Sequence, residues 1–556
     1  MDINQLSIYQ IYPKSFHDSN GDGIGDIQGI IQKLDYIQNL GVDCIWLTPI
    51  YPSPQRDNGY DVADYTAINP TYGTMADFDE LIAQCKTRGM FIMLDMVFNH
   101  TSDQHMWFKQ AATDPIYRDY YIFKNSPTPP TNWVSKFGGS TWEKYGDDDY
   151  YLHLFDVSQP DLNWENPQVR QEIYNIMHFW LEKGIRGFRF DVINLISKPD
   201  TYQDDHQEQK GSLALIGDGR RFYTDGPKIH TYLKELARET FGKYPDTLTV
   251  GEMSSTTIEH CIRYSNPAEN ELDMTFSFHH LKVDYQNGDK WTDMPFDFAQ
   301  LKRLLTDWQV GMAAGGGHNA LFWSNHDQPR VVSRFGHDSD ETLRIASAKM
   351  LANAMYLLKG TPYIYQGEEI GMTNPGFDTI DSYRDVESLN IHNILINQGM
   401  NEPDILNILA KKSRDNSRTP MQWNNAPHAG FTTGTPWIAT AGNYLTLNAT
   451  QTAHGSIYRH YQELLALRKE LPVLGHGRFE PLWLEHPQVF AYKRVLDGVE
   501  LLVLCNFYNQ HVELELDQEL QRFVNGQVIL ANTDSPALAA QISLRPYESF
   551  AVLVGR

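Results

Sequence analysis

Short apolar runs recur along the chain, separated by segments whose apolar positions follow a helical spacing. A strand buried on both faces reads as such a run, because both of its faces meet hydrophobic partners. The runs predict strands over 8–12, 44–49, 91–97, 187–192, 248–253, 273–278, 321–325 and 362–366. Strands alternating with helices imply βα units and a parallel sheet. Eight such units fit a (β/α)8 TIM barrel, an α/β fold. The spacing is uneven: between Val97 and Gly187 lies a long segment rich in Asp, Tyr, Trp and Pro. It is too long for a simple connection and predicts an inserted lid domain after the third strand. From about Pro472 the pattern turns to short alternating runs such as Val489-Phe-Ala-Tyr-Lys-Arg494, which predict a terminal all-β sandwich. The expected division is barrel over 1–100 and 173–471, lid over 101–172 and sandwich over 472–556.

Three apolar runs end in acids: Asp191 in Gly187-Phe-Arg-Phe-Asp191, Glu252 in Leu248-Thr-Val-Gly-Glu252, and Asp327 in Leu321-Phe-Trp-Ser-Asn-His-Asp327. In a barrel of parallel strands the chemistry sits at the carboxyl ends. Splitting an acetal needs one carboxylate at the anomeric carbon and one carboxylic acid for the leaving oxygen, about 5–5.5 Å apart in a retaining enzyme. Arg189 precedes Asp191 by two positions, which on a strand puts both on one face and should hold the aspartate ionised. Glu252, as proton donor, needs a pKa raised by burial or by nearby negative charge. Asp327 supplies a third carboxylate able to grip sugar hydroxyls. Any one of these acids could instead cap a helix or pair with a core arginine; three at strand ends together point to glycoside chemistry.

Around them lie weaker signals. In Asp95-Met-Val-Phe-Asn-His100, His100 could donate to a sugar hydroxyl while Asp95 and Asn99 brace neighbouring strands. Asp57-Asn-Gly-Tyr60-Asp61 offers a ring to stack on a sugar, with Asp61 as a hydroxyl acceptor; read blandly it is an Asn-Gly turn. Asp18-Ser-Asn20-Gly-Asp22-Gly-Ile24-Gly-Asp26 sets oxygen ligands at alternate positions, as in the opening of a calcium loop, though without the distal glutamate of an EF-hand. A structural Ca²⁺ on Asp18, Asn20, Asp22, Ile24 and Asp26 is expected, and no organic cofactor. The alternative is a metal-free Asp/Gly turn.

Composition narrows the partners. The 556 residues carry 46 Lys and Arg against 70 Asp and Glu, a net charge of −24 with no offsetting basic tract. That excludes a nucleic acid or an anionic membrane as partner, and any anionic substrate must meet a local cationic pocket. Aromatic residues make up 12%, many in turn-rich stretches where they can stack on sugars. The four cysteines are scattered, which suits a reducing compartment. The opening residues show no basic stretch followed by an apolar core, and no apolar stretch approaches membrane-spanning length, so a cytoplasmic location is expected. The pattern does not speak to oligomeric state.

Taken together, these segments resemble the α-amylase family, glycoside hydrolase family 13, over nearly the whole chain. Its four strand-end blocks correspond to 95–100, 187–194, 251–253 and 322–327. Gln159-Pro-Asp-Leu-Asn163 and Arg414-Asp-Asn-Ser-Arg-Thr-Pro-Met-Gln-Trp423 resemble its oligo-1,6-glucosidase branch. The resemblance implies a retaining mechanism with Asp191 as nucleophile, Glu252 as acid/base and Asp327 as transition-state stabiliser. Tyr60, Asp61, His100, Arg189, His326 and Arg414 would enclose the glucose. Asp218-Gly-Arg-Arg-Phe-Tyr-Thr-Asp-Gly-Pro227, Gly251-Glu-Met-Ser-Ser-Thr256 and Phe276-Ser-Phe-His-His-Leu-Lys-Val-Asp-Tyr285 are similar to members acting on a phosphorylated disaccharide. This implies hydrolysis of α,α-trehalose 6-phosphate, with His279, His280, Lys282 and Lys290 toward the phosphate. Read from the residues alone, Lys282 and Lys290 are solvated lysines paired with Asp284 and Asp289. The rival is an oligo-1,6-glucosidase or broad α-glucosidase acting on neutral sugars. The chain departs from the family over 201–212, which is rich in Gln and Asp.

Overall fold

The computed structural model describes residues 2–206, 217–452, 456–534, 536 and 538–555. Of the Gln/Asp-rich segment 201–212, the part from Gln207 onward lies outside the described residues.

Eight parallel strands form the barrel: β1 Ile8–Ile11, β2 Cys44–Leu47, β3 Phe91–Met96, β4 Gly187–Phe190, β5 Leu248–Glu252, β6 Met274–Phe276, β7 Ala320–Leu321 and β8 Thr361–Tyr365. They pair in the order β7-β8-β1-β2-β3-β4-β5-β6. A parallel bridge between Thr275 and Asn319 closes the ring. The strands are buried almost without break, which is why each reads as a continuous apolar run. Gly187 opens β4 because a Cβ there would lie 2.8 Å from the Cα of Met93 on β3. β7 stops short of the expected 321–325. Ser324 Oγ accepts from the Val331 N–H at 3.2 Å and Asn325 Oδ1 from the Asp327 N–H at 2.8 Å. These local bonds turn the chain off the ladder.

Helices alternate with the strands. The helix Pro167–Glu182, before β4, begins at Asn166, whose side chain accepts from the Gln168 N–H at 2.8 Å, with Pro167 in the first helical position. Val169, Ile173, Met177, Trp180 and Leu181 form its buried stripe at helical spacing.

After β3 the chain makes a small antiparallel sheet with Asp149–Leu152 between Phe123–Asn125 and Trp142–Tyr145. The returning segment runs back along the end of β3, where the Leu162 N–H donates to the Asn99 carbonyl at 2.9 Å and the Thr101 N–H to Pro160 at 3.2 Å.

The chain ends in two packed sheets. One has five strands, in the order Arg478–Leu482, Val489–Leu496, Val499–Asn506, Ser549–Val554, Gln527–Ala531; the other pairs Val512–Glu515 with Gln541–Leu544. Val489, Ala491, Leu502 and Leu504 pack between the sheets against Val512, Leu514, Ile542 and Leu544. Leu501, Val503 and Cys505, on the opposite face, join the barrel's core. All four cysteines are free and buried. Among the described residues no helix is long and apolar enough to cross a membrane.

Candidate active site

Three carboxylates meet on one buried guanidinium. Arg189 Nη1 donates to Asp95 at 2.6 Å and to Asp191 at 2.7 Å, and Nη2 donates to Glu252. The register explains the meeting: Asp95 on β3 lies opposite Arg189 on β4, and Phe190 lies opposite Gly251, one residue before Glu252. The Asp191 N–H extends the ladder by bonding the Met96 carbonyl at 2.9 Å. The backbone then turns sharply at Val192, with φ 34° and ψ 41°. A β-branched residue avoids that region, at a cost of about 1–3 kcal/mol. The turn aims the Val192 N–H at Glu252 Oε2, 3.4 Å away.

Three acids around one cation cannot all ionise cheaply. Burial pushes the Glu252 carboxyl up to about 8, against the pull of Arg189, with Asp191 and Asp327 adding repulsion. Burial also raises Asp191; Arg189 pulls the other way and Asp95 adds to the rise. The expectation that Arg189 by itself keeps Asp191 ionised is therefore corrected. Burial outweighs the guanidinium, and the contact with Glu252 lowers Asp191 while raising Glu252.

Asp327 has the opposite environment. Its Oδ1 accepts from Arg418 Nη2 at 2.7 Å and Arg414 Nη1 at 3.3 Å, and its Oδ2 lies 3.1 Å from His326 Nε2. Burial would raise it, but His326, Arg414 and Arg418 hold it well below the usual carboxylate range. Arg414 also pairs with Asp57 at 3.0 Å and with Asp385, while Arg418 Nε donates to the His326 carbonyl at 2.8 Å. The two arginines sit one helical turn apart, Arg414 capping the short helix Asp415–Arg418.

The sugar-facing residues divide. Tyr60 stacks on His326 with ring centroids 5.1 Å apart and 3° between planes, and its hydroxyl donates to Asp95 at 2.8 Å. His100 Nε2 lies 3.1 Å from the Tyr60 carbonyl and 3.2 Å from Gln159 Nε2, and burial lowers its pKa to about 4, so it is neutral. Asn99 bonds Asp161 at 3.1 Å and Lys198 at 2.8 Å, and so links β3 to the returning lid segment.

Asp61 is a correction. It is fully buried, and its oxygens accept from Ser53 Oγ and from the N–H groups of Arg56 and Asp57, so it builds the turn. Asp57 is the acid of that turn that reaches Arg414, and it also accepts from Gln159 at 3.0 Å. Of the two acids that end this turn, Asp57 faces Arg414 and Asp61, expected at the sugar, is taken up by backbone N–H groups. Arg418, one turn beyond Arg414 within 414–423, carries no sequence signal of its own yet holds Asp327.

The four residues read toward a phosphate are not equivalent. His280 is buried, with Nε2 at 3.0 Å from the Phe322 carbonyl; His279 lies against Trp308 and is 3.2 Å from Ser277 Oγ. Lys290 pairs with Glu387 at 2.7 Å. Lys282 is half-buried and has no carboxylate within 4 Å among the described residues. Asp284 is taken up elsewhere: it holds Arg334 and Lys412, both at 2.7 Å.

In the loop 18–26 every donor is an oxygen, the chemistry a hard cation takes. Yet Asp18 accepts from the N–H groups of Asn20, Gly21 and Gly23, and Asp26 from those of Ser19 and Gly29. Asn20 and Asp22 accept from Asp22 and Ile24 N–H groups, both at 2.9 Å. Among the described residues no three His, Cys, Asp or Glu side chains gather around one metal position.

Comparison with known proteins fits this arrangement. Residues 10–477 match the alpha amylase catalytic domain and residues 489–550 the alpha-amylase SusG C-terminal domain. The chain is 54% identical to the trehalose-6-phosphate hydrolase of Bacillus subtilis (strain 168), over 98% of this chain and 96% of that protein. It is 47% identical to an oligo-1,6-glucosidase of Halalkalibacterium halodurans, over 98% and 97%. The crystal structure of Bacillus licheniformis trehalose-6-phosphate hydrolase superposes with a TM-score of 0.93 at 53% identity, covering 100% of this chain and 99% of that one. With the catalytic-domain model matched over residues 10–477 and relatives matched along nearly the whole chain, the chain belongs to the α-amylase family.

Proposed function

We propose that the protein is a retaining glycoside hydrolase that cleaves α,α-trehalose 6-phosphate to glucose and glucose 6-phosphate. The observation that carries the chemistry is the Asp191–Glu252 pair meeting on one buried guanidinium, with burial raising the Glu252 carboxyl to about 8. The substrate follows from the full-length similarity to proteins named for that activity.

The unphosphorylated glucose lies over Tyr60, with Asp57, His100, His326 and Arg414 toward its hydroxyls. Asp191 attacks the anomeric carbon as Glu252 gives its proton to the bridging oxygen; the glycosidic bond breaks and glucose 6-phosphate leaves. Asp327, ionised between two arginines, favours the ring as it gains positive charge. Glu252, now a carboxylate, takes a proton from water. The resulting hydroxide attacks the same carbon, and the ester to Asp191 breaks. Two inversions give retention.

Glucose release from trehalose 6-phosphate, trehalose and isomaltose tests this reading. A strong preference for the phosphorylated sugar is expected, and equal or better release from isomaltose would place the protein with neutral-sugar α-glucosidases. With Lys282→Ala and Lys290→Ala combined, the preference should fall.

A sugar phosphate as substrate, together with four free thiols, implies a cytoplasmic enzyme. A structural calcium in the loop 18–26 rests on donor type alone; thermal melts with added calcium and with a chelator should separate by several degrees if it binds.

A further inference from the structure

We propose that Lys136, on the lid, and Arg220, after β4, join Lys282 to seat the phosphate of the leaving sugar. The inference rests on the hydrolase reading above and adds to it Lys136, which no local sequence signal marks, and Arg220, from the segment Asp218–Pro227.

Lys136 stands beside the segment that carries the acid/base. Its Nζ donates to Ser254 Oγ at 3.2 Å, two residues beyond Glu252, and Ser254 is itself fixed by Asn194 through bonds of 2.9 and 3.0 Å. The next residue, Phe137, lies under the Arg414 guanidinium at 4.9 Å and against Phe155 at 5.7 Å. This piece of the lid therefore roofs the inner pocket with one side chain and reaches the outer one with the other. Lys282 comes from the segment after β6, and Arg220 from the short helix Arg220–Tyr223.

The charges of this trio are not balanced from within the protein. Arg220 pairs with Asp218 at 2.6 Å, but among the described residues neither Lys136 nor Lys282 has a carboxylate within 4 Å. Three other sequestered lysines do, Lys198 holding Asp161 at 2.8 Å, Lys290 Glu387 and Lys412 Asp284, while Lys302 is satisfied by backbone carbonyls of Trp483, His486 and Val489. Burial presses the Lys136 ammonium well below its usual range, and Arg220 and Lys282 add repulsion against the pull of Asp218 and Glu252. Lys282 is lowered to about 8, again by burial and then by Arg220. A sequestered lysine with no carboxylate beside it, in a chain of net charge −24, is stabilised in its charged form by an anion from outside. A phosphate monoester on the outgoing sugar supplies it, with oxygens enough for all three donors.

The test compares kcat/KM for α,α-trehalose 6-phosphate, α,α-trehalose and p-nitrophenyl α-D-glucopyranoside in the full-length wild type and in Lys136→Met, Arg220→Met and Lys136→Arg. Lys136→Met should lose on the order of 10- to 100-fold on the phosphorylated substrate, the range of one charge-assisted hydrogen bond. Its loss on the p-nitrophenyl substrate should be at least about tenfold smaller, and Lys136→Arg should recover most of the difference. Inhibition by glucose 6-phosphate, relative to glucose, should weaken in parallel. Arg220, 46% exposed, gives a variant whose folding is not in question, and Arg220→Met should show the same contrast. Equal losses on charged and neutral substrates would mean that Lys136 only ties down the lid, and would overturn the proposal. A wild type that does not favour trehalose 6-phosphate over trehalose would overturn the hydrolase reading first, and this seat with it.

Discussion

The inner pocket and its mouth treat charge in opposite ways. Inside, every guanidinium is shared: Arg189 among Asp95, Asp191 and Glu252, and Arg414 and Arg418 among Asp57, Asp327 and Asp385. At the mouth, Lys136 and Lys282 lack a carboxylate partner among the described residues. A neutral glucose needs no net charge to hold it, only fixed donors and acceptors and a developing-charge site at its anomeric carbon. An anionic leaving sugar needs the reverse. The difference teaches that an acidic protein can read a phosphate by leaving a few cations unsatisfied where the ligand will arrive, rather than by becoming basic overall.

The sharpest break of this contrast comes from the inner side. Asp191→Asn keeps the shape and removes the nucleophile, so kcat should fall on the order of 10⁴-fold or more on every substrate, charged or neutral. Steady-state rates with trehalose 6-phosphate and a p-nitrophenyl glucoside check this; a loss confined to one of them would unseat the assignment.

Glu252→Gln comes next, with about 10²- to 10⁴-fold in kcat/KM on trehalose 6-phosphate and much less in kcat/KM on the p-nitrophenyl glucoside, whose leaving group needs no proton, while kcat falls on both because the base for the second step is gone. The same residue sets the alkaline side of the pH profile. Glu252 must be protonated to act and its carboxyl lies at about 8, so kcat/KM should fall as pH rises through that value. On the acid side the rate should fall as Asp191, also raised, takes up a proton. An alkaline limb that persists in Glu252→Gln would show that another group sets it.

Asp57→Asn and Asp61→Asn separate the two ends of one turn. The first should lose on the order of 10- to 100-fold in kcat/KM on charged and neutral substrates alike, since it leaves Arg414 short of a partner. The second should act on stability, seen as a lower melting temperature with turnover in the surviving folded protein nearly intact, because Asp61 bonds only the turn. The smallest effect is that of salt. From about 0.01 to about 1 M ionic strength the screening length shrinks from roughly 30 to roughly 3 Å, and the preference for phosphorylated over plain trehalose should drop several-fold while turnover of trehalose barely moves.

Much of this was legible in the chain before any coordinates. Seven of the eight barrel strands lie within two residues of the apolar runs that predict them, because a strand buried on both faces must be written as one. β7 failed that rule, since Ser324 and Asn325 spend their side chains on local backbone N–H groups, a use that apolar patterning does not register. The three acids were readable because each follows a strand. Asp57 and Asp61 were not separable, because a turn of five residues gives both the same composition and only folding decides which one faces inward. Lys136 was invisible for another reason: it reaches the site from the lid, across 118 positions to Ser254, with no periodicity to link them.

The shortness of β7 has a consequence for how the enzyme is made. With the ladder ending at Leu321, Asp327 takes its place from Arg418, which holds both its carboxylate and the carbonyl before it from 91 and 92 positions downstream. A ribosome has already added all three acids by residue 327, yet the emerging polypeptide has no bolt for the last of them until another ninety or so have followed. Translation fragments ending in that window should be inert toward every glucoside.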